Sequence, residues 1–298
     1  MRLSANDLFL LSQCAISAAY QAGYLIAKYD NRSVAVNTKA GGSSRAAQVV
    51  TEVDYLSQEI ILQIVRPTCE IFDLALLSEE SPDDHERLQK ENFWCIDPLD
   101  GTLAFIESTP GYSVSIALVS QDGIPLIGVV YDPVSQTLYH AIKDQGAWRN
   151  ELALKPVAMP PSVENRLTFL TDKSFAQDPL YQLTQAELDR IAIDLGYAGA
   201  TLRLQGGAAM NACQLLEIPA ACYFKFPKPQ SGGGSIWDYA ATACIFQEAG
   251  MCVSDIYGNP LVLNPVGSTF LNHCGVLYCN DQDIAEHMIR VYKGLMQV

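Results

Sequence analysis

Trp94-Cys95-Ile96-Asp97-Pro98-Leu99-Asp100-Gly101-Thr102 decides how this chain folds, because two carboxylates, a glycine and a hydroxyl follow an apolar run with almost nothing between them. Phe93 to Ile96 suits a buried strand. Pro98 has no N–H to give a ladder and is expected to end it, so Asp97 and Asp100 fall where the chain turns out of the sheet. Two meanings fit this stretch. Mg²⁺ seeks an octahedron of oxygens and takes one or two carboxylates plus substrate phosphate oxygens. Two such ions about 3.5–4 Å apart clamp the attacking and leaving oxygens of a phosphoryl displacement. Gly101 then permits close backbone approach and the Thr102 hydroxyl orients a water. The other meaning is an Asp-Pro turn followed by an Asp-Gly turn, with no chemistry attached.

Three further segments bear on the choice. Leu74 to Leu77 is a short strand-like run that ends at Ser78-Glu79-Glu80, again placing carboxylates at a strand terminus. Ile236-Trp237-Asp238-Tyr239-Ala240-Ala241 opens a helix that continues through Ile245 to Ala249 and stops at Gly250, with Asp238 in its first turn. In Thr51-Glu52-Val53-Asp54 the threonine caps a helix whose apolar positions Leu56, Ile60, Ile61 and Ile64 follow near-helical spacing. Each also has a plain meaning: a solvated acidic pair, a carboxylate favoured by the helix dipole, and a capped amphipathic helix.

All of these occur together, in an order and at separations that belong to a known set. Through Val50-Thr51-Glu52-Val53-Asp54, Ser78-Glu79-Glu80, Asp97-Pro98-Leu99-Asp100-Gly101-Thr102, Gly206-Gly207-Ala208-Ala209-Met210-Asn211, Trp237-Asp238-Tyr239-Ala240-Ala241 and Glu248-Ala249-Gly250, the chain resembles the inositol monophosphatase family over most of its length. That family stands with fructose bisphosphatases and bisphosphate nucleotidases among magnesium-dependent, lithium-sensitive phosphatases. The resemblance implies a layered αβαβα sandwich of the sugar-phosphatase type, α+β with α/β character, with its site between two lobes. It implies that Glu79, Asp97 and the Leu99 carbonyl hold one Mg²⁺ and that Asp97, Asp100 and Asp238 hold a second, with a third, weaker ion near Glu79. It makes Asp54, Thr102 and Glu79 the catalytic set, with Thr102 and Asp54 orienting and deprotonating the attacking water. Leu99, Asp100, Gly101, Thr102, Gly206, Gly207, Ala208 and Asp238 become the substrate-contacting positions. Amides at a helix start are a sensible phosphate cradle in their own right.

The implied activity is hydrolysis of a small phosphorylated metabolite by direct in-line attack of a metal-activated water. Its substrate is an inositol-like polyol phosphate, a 3′(2′),5′-bisphosphate nucleotide or a sugar bisphosphate. A silent relative that binds metal or phosphate as a regulatory component is the other class. The family's acidic residue seven positions before the late aspartate, which contacts inositol hydroxyls, is Ser231 here, within Pro229-Gln230-Ser231-Gly232-Gly233-Gly234-Ser235. That stretch is either a flexible connection or a substrate-entry loop flanked by Lys225 and Lys228, whose ammonium groups meet a second phosphate. Gly207 also stands where a hydroxyl residue is often found.

Composition agrees with an enzyme. At 298 residues two lobes are expected, divided here into 1–158 and 159–298 near Pro156, Pro160 and Pro161. Hydrophobic residues make up 49% and charged ones 17%, which supports a large packed interior. A formal net charge of −14 argues against a nucleic-acid polymer or an anionic membrane as partner. Metal ions reconcile that charge with a phosphate substrate. Nine cysteines, odd in number and without CxxC spacing, fit a reducing, cytoplasmic setting. Asn6 to Tyr29 is expected to be an amphipathic helix and not a signal peptide or membrane span. A homodimer is the family's usual state. His85, His140, His273 and His287 fall in no ligand spacing, and G-x-S-x-G and Walker motifs are absent from the sequence.

Residues 31 to 49 are expected to be a surface loop and 81 to 92 a charged connector. Tyr112–Ser120, Ile124–Tyr131 and Thr137–Ile142 predict a meander around Asp122-Gly123 and Asp132-Pro133 turns. Beyond the boundary, strand-like Leu167–Thr171, Ala200–Leu204, Ala221–Lys225 and Gly275–Cys279 alternate with helical stretches near 184–195, 207–217, 236–249 and 281–294.

Overall fold

The structure, a computed structural model, describes residues 3–29, 36–38 and 49–296 apart from 157–160, 230, 231 and 233. The chain opens with α1 (Ala5–Lys28), capped by a reciprocal Ser4–Asp7 pair and burying Leu11, Ala15, Ala18, Ala19, Ala22 and Ile26 along one stripe. Strands β1 (Val36–Thr38) and β2 (Val49–Thr51) pair antiparallel, so the stretch 31 to 49, expected to be a loop, contains β1 and the first residue of β2. Lys39 and Arg45, between them, lie outside the described residues.

Helix α2 (Glu52–Phe72) starts at Thr51, as its sequence predicts, but its buried line runs through Val53, Asp54, Ser57, Gln58, Ile61 and Leu62. Leu56, expected on the apolar face, is exposed. The helix is rotated toward a polar neighbour that it covers with Asp54, Ser57 and Gln58.

A seven-stranded sheet follows: β3 (Ala75–Ser78), β4 (Asn92–Asp100), then, after the short helix α3 (Thr102–Ile106), β5 (Ser113–Ser120), β6 (Pro125–Asp132), β7 (Thr137–Ile142), β8 (Gly146–Arg149) and β9 (Leu152–Ala153). Strands lie in sequence order; β3 and β4 run parallel and every later pair antiparallel. The predicted meander is present and extends by β8 and β9, which are too short to carry a periodic signal. Pro98 does not end β4. Asp97 pairs with Ser115 and Asp100 with Ser113, so one extra residue bulges between them. Pro98 sits in that bulge, where a missing N–H breaks no ladder bond.

The second sheet is built from β10 (Leu167–Asp172), β11 (Ala200–Gln205), β12 (Ala221–Lys225), β13 (Cys252–Ser254) and β14 (Val276–Cys279), in the order β11-β10-β12-β14-β13. Helices α4 (Tyr181–Asp194), α5 (Ala208–Leu215), α6 (Ile236–Glu248) and α7 (Gln282–Leu295) connect or flank these strands. β10 is parallel to β11 and β12, while β14 runs antiparallel to β12 and β13.

Three cores define the layers. Trp94, Ile96, Val114, Ile116 and Val129 face α1 and α2. On the opposite face of that sheet Phe93, Cys95, Ala117 and Val130 pack with α5 and α6, which also cover Leu170, Ala221 and Tyr223 of the second sheet. Leu167, Phe169, Cys222, Phe224 and Leu277 face α4 and α7. The result is helices, sheet, helices, sheet, helices. Since α6 belongs to the later half of the sequence yet packs across β5, β6 and β7, it carries Asp238 to the end of the first sheet.

Candidate active site

Four backbone devices converge at the carboxyl end of β4. The bulge is held by Ser57 of α2, whose hydroxyl donates to the Pro98 carbonyl at 2.7 Å, and by Leu99 N–H donating to Asp97 Oδ1 at 3.0 Å. The turn after β3 is fixed by Glu79 N–H on the Ile96 carbonyl (3.1 Å) and by the Ser78 hydroxyl on Gln58 Oε1 (2.5 Å). At α6, the Ser235 N–H donates to the Asp238 carboxylate, and the Ser115 hydroxyl, cross-strand from Asp97, donates to the Trp237 carbonyl at 3.1 Å. At α2, Asp54 Oδ2 accepts from Thr51 N–H (2.8 Å) and Oγ1 (2.5 Å), which leaves Oδ1 to accept from the Thr102 hydroxyl at 2.9 Å. That hydroxyl also lies 3.2 Å from the Leu99 carbonyl.

These devices bring Asp97, Asp100 and Asp238 together, with one carboxylate oxygen from each within 4.8 Å of the others. Asp97 and Asp100 are buried and Asp238 half-buried. Glu79 hydrogen-bonds Asp97, which also faces Asp238. Burial first, then the neighbouring Glu79, Asp100 and Asp238, hold Asp97 well above the usual carboxylate range. Asp100 is raised by burial and by Asp238, against two opposing amides. Asp238 is pushed up to about 6 by burial and Glu79, opposed by the Ser235 amide and Lys225. Burial also raises Asp54, against its bonds from Thr51 and Thr102. Packed oxygen donors whose mutual repulsion suppresses ionisation are a donor set suited to a hard divalent cation. The residues fit Mg²⁺.

The glycine turn completes the floor. Asp100 accepts from the amides of Ala208 (3.0 Å) and Ala209 (2.9 Å) at the start of α5, so the Ala208 amide, expected on phosphate, here serves a carboxylate. Gly207 has φ +75°, and a Cβ there would meet the Gly111 carbonyl at 1.8 Å, which excludes any side chain. Gly101, also at positive φ, precedes α3 with Thr102 as its first residue. Sequence reasoning missed Ser57, Gln58 and Ser115, and it quoted Ser78 only within the Ser78-Glu79-Glu80 stretch, without its bond to Gln58. Their partners lie up to 122 residues away and no local pattern marks them. Ser231 lies outside the described residues. Lys225 is bound to Asp172 at 2.7 Å, and Lys228 lies 3.4 Å from the Ser174 hydroxyl.

The Nus factor SuhB of Pasteurella multocida is 32% identical over 82% of this chain and 84% of its own length. The 3′(2′),5′-bisphosphate nucleotidase CysQ of Salmonella typhimurium is 33% identical over 75% and 82%. In three dimensions, an IMPase from Thermotoga maritima superposes with a TM-score of 0.72 at 22% identity, covering 95% of this chain and 96% of that one. Layering, carboxylate cluster and hydroxyl–carboxylate pair together define a metal-dependent phosphoric monoester hydrolase. Residues 7–296 match the inositol monophosphatase family, and the chain belongs to it. No helix among the described residues is long and apolar enough to cross a membrane.

Proposed function

We propose that this chain is a Mg²⁺-dependent phosphomonoesterase acting on a small phosphorylated metabolite, with Glu79, Asp97, the Leu99 carbonyl, Asp100 and Asp238 holding two to three ions. The observation that carries it is the convergence of Asp97 and Asp100 of β4 with Asp238 of α6, Glu79 acting on Asp97, beside the Thr102–Asp54 pair. Bound Mg²⁺ would neutralise phosphoryl oxygens and make a coordinated water more acidic. Thr102, whose hydroxyl proton is directed at Asp54, presents a lone pair to the attacking water and passes its proton to the Asp54 carboxylate, whose raised pKa suits a base. Amides of Gly101, Thr102, Gly206 and Gly207 orient the phosphoryl group for in-line attack. The lobe boundary expected at residues 158 and 159 lies outside the described residues. Lithium inhibition, a cytoplasmic setting and a homodimer follow from the same family reading.

Phosphate release from inositol 1-phosphate, fructose 1,6-bisphosphate and adenosine 3′,5′-bisphosphate, with Mg²⁺ and with chelator, tests the proposal. Mg²⁺-dependent release from at least one is expected. A folded protein that releases phosphate from none would be a silent relative.

A further inference from the structure

Three polar side chains of α2, Asp54, Ser57 and Gln58, stand at helical positions i, i+3 and i+4, so they share one face, and all three are buried. Each reaches a different segment. Asp54 accepts from Thr102, Ser57 donates to the Pro98 carbonyl in the β4 bulge, and Gln58 meets the turn that follows β3. Gln58 grips that turn at both corners: its Oε1 accepts from the Ser78 hydroxyl at 2.5 Å and its Nε2 donates to the Ser81 hydroxyl at 3.2 Å.

Between those corners the chain makes a tight turn. Ser81 N–H donates to the Ser78 carbonyl at 3.1 Å, which leaves Glu79 and Glu80 as the two central residues. Glu79 N–H is spent on the Ile96 carbonyl of β4, and the Glu79 side chain bonds Asp97. Two carboxylates side by side repel once ionised, so Glu79 stays opposite Asp97 only if its backbone is held by groups outside the pair. A neutral amide that takes both serine hydroxyls does this without adding a charge. Ser57, the preceding residue, fixes the bulge that carries Asp97 and Leu99, so one turn of α2 sets both sides of the gap between Glu79 and Asp97.

We propose that Gln58 is a positioning residue for Glu79: by bracing Ser78 and Ser81 it holds the Glu79 carboxylate where that group completes a cation site with Asp97 and the Leu99 carbonyl, and it has no part in the site of Asp97, Asp100 and Asp238. The inference rests on the phosphomonoesterase reading above and on its ligand assignment. Gln58 acts through the turn and not on the cation, so its removal weakens one class of bound ion and spares the other.

Calorimetric titration with Mg²⁺, in the absence of substrate, tests this. The portion of Mg²⁺ binding that Glu79→Gln abolishes is the Glu79-dependent class. Gln58→Met, which roughly keeps the volume and removes both bonds, should weaken that class about 10- to 100-fold, the usual result of losing a group that orients a metal ligand, and leave the remainder within about twofold. The double variant decides the route. With Glu79→Gln already in place Gln58→Met should change nothing further, whereas general support of the fold would weaken the remaining Mg²⁺ binding as well. Gln58→Glu, whose carboxyl meets both serine hydroxyls, should retain the Glu79-dependent class even though a buried carboxyl lowers the thermal midpoint, so affinity and stability part company. If Gln58→Met fails to fold, Ser81→Ala removes the Nε2 partner alone and is expected to give a several-fold weakening that again disappears beside Glu79→Gln. Affinities unchanged in these variants, or a weakening that survives in Glu79→Gln, overturn the role of Gln58 and leave the parent reading standing. A wild-type protein that binds no Mg²⁺ overturns both.

Discussion

Asp97 stands at the centre of the carboxylate cluster, touching Glu79 on one side and Asp238 on the other, with its own Oδ1 committed to the Leu99 amide. Its substitution should separate chemistry from folding. Asp97→Asn keeps the shape and removes a charge that the buried site disfavours, so the metal-free protein should unfold at the same or a higher temperature while kcat falls by about 10²–10³-fold or more. Thermal unfolding in chelator beside steady-state kinetics checks both halves; near-normal turnover would remove Asp97 from the site. Thr102→Val isolates the hydroxyl in the same way. It leaves Asp54 Oδ1 without its 2.9 Å donor and is expected to lower kcat about 10²–10⁴-fold, with little change in the Mg²⁺ concentration giving half-maximal rate. A parallel loss of Mg²⁺ affinity would instead give Thr102 a structural task at the cation.

At the level of elements, legibility followed periodicity and caps. α1, α2 and α6, and the strands β5 to β7, were readable because a stripe, a capping residue or an Asp-Gly turn marks each in a few adjacent residues. What escaped was whatever depends on a distant partner. The Asp97–Asp100 bulge is invisible in a rule that ends strands at proline, since it needs Ser57 from α2 to hold the Pro98 carbonyl. The exposure of Leu56 likewise follows from the polar ground that α2 covers. The acids themselves were legible through family likeness; the serines that aim them were not. Ser115 tests this division. It is an ordinary alternating position of β5, yet its hydroxyl ties the sheet to the start of α6 one residue before Asp238. Ser115→Ala should cost about 1 kcal/mol in urea unfolding and raise the Mg²⁺ requirement for activity several-fold. Equal Mg²⁺ requirement in the two proteins would show that Asp238 is placed by its helix alone.

Across the whole molecule, the buried like charges couple folding to cation binding, and the sign can be worked out. Asp97, Asp100 and Asp238 all titrate above their unfolded value of about 3.9, Asp238 at about 6 and the other two held well above the carboxylate range. Below pH 4 both native and unfolded states hold these protons, and the cluster contributes its full share of stability. As pH rises the unfolded chain releases protons first, so that share is lost progressively through pH 6 and beyond. Paired acids such as Asp83, lowered by Arg87 and by the His85 amide against a larger desolvation penalty, act in the opposite sense, their contribution vanishing as pH falls below 4. Their effect is the same with or without Mg²⁺ and cancels in a difference measurement. Mg²⁺ requires the ionised carboxylates, so its stabilisation should be small at pH 5 and grow toward pH 8, reaching about 2.7 kcal/mol where the ion is in 100-fold excess over its dissociation constant. Unfolding midpoints with Mg²⁺ and with chelator, taken at several pH values from 5 to 8, measure that difference. A Mg²⁺ effect that is flat across this range would mean that the ions bind exposed acids elsewhere on this strongly acidic surface, and that the four segments meeting at β4 do so for packing alone.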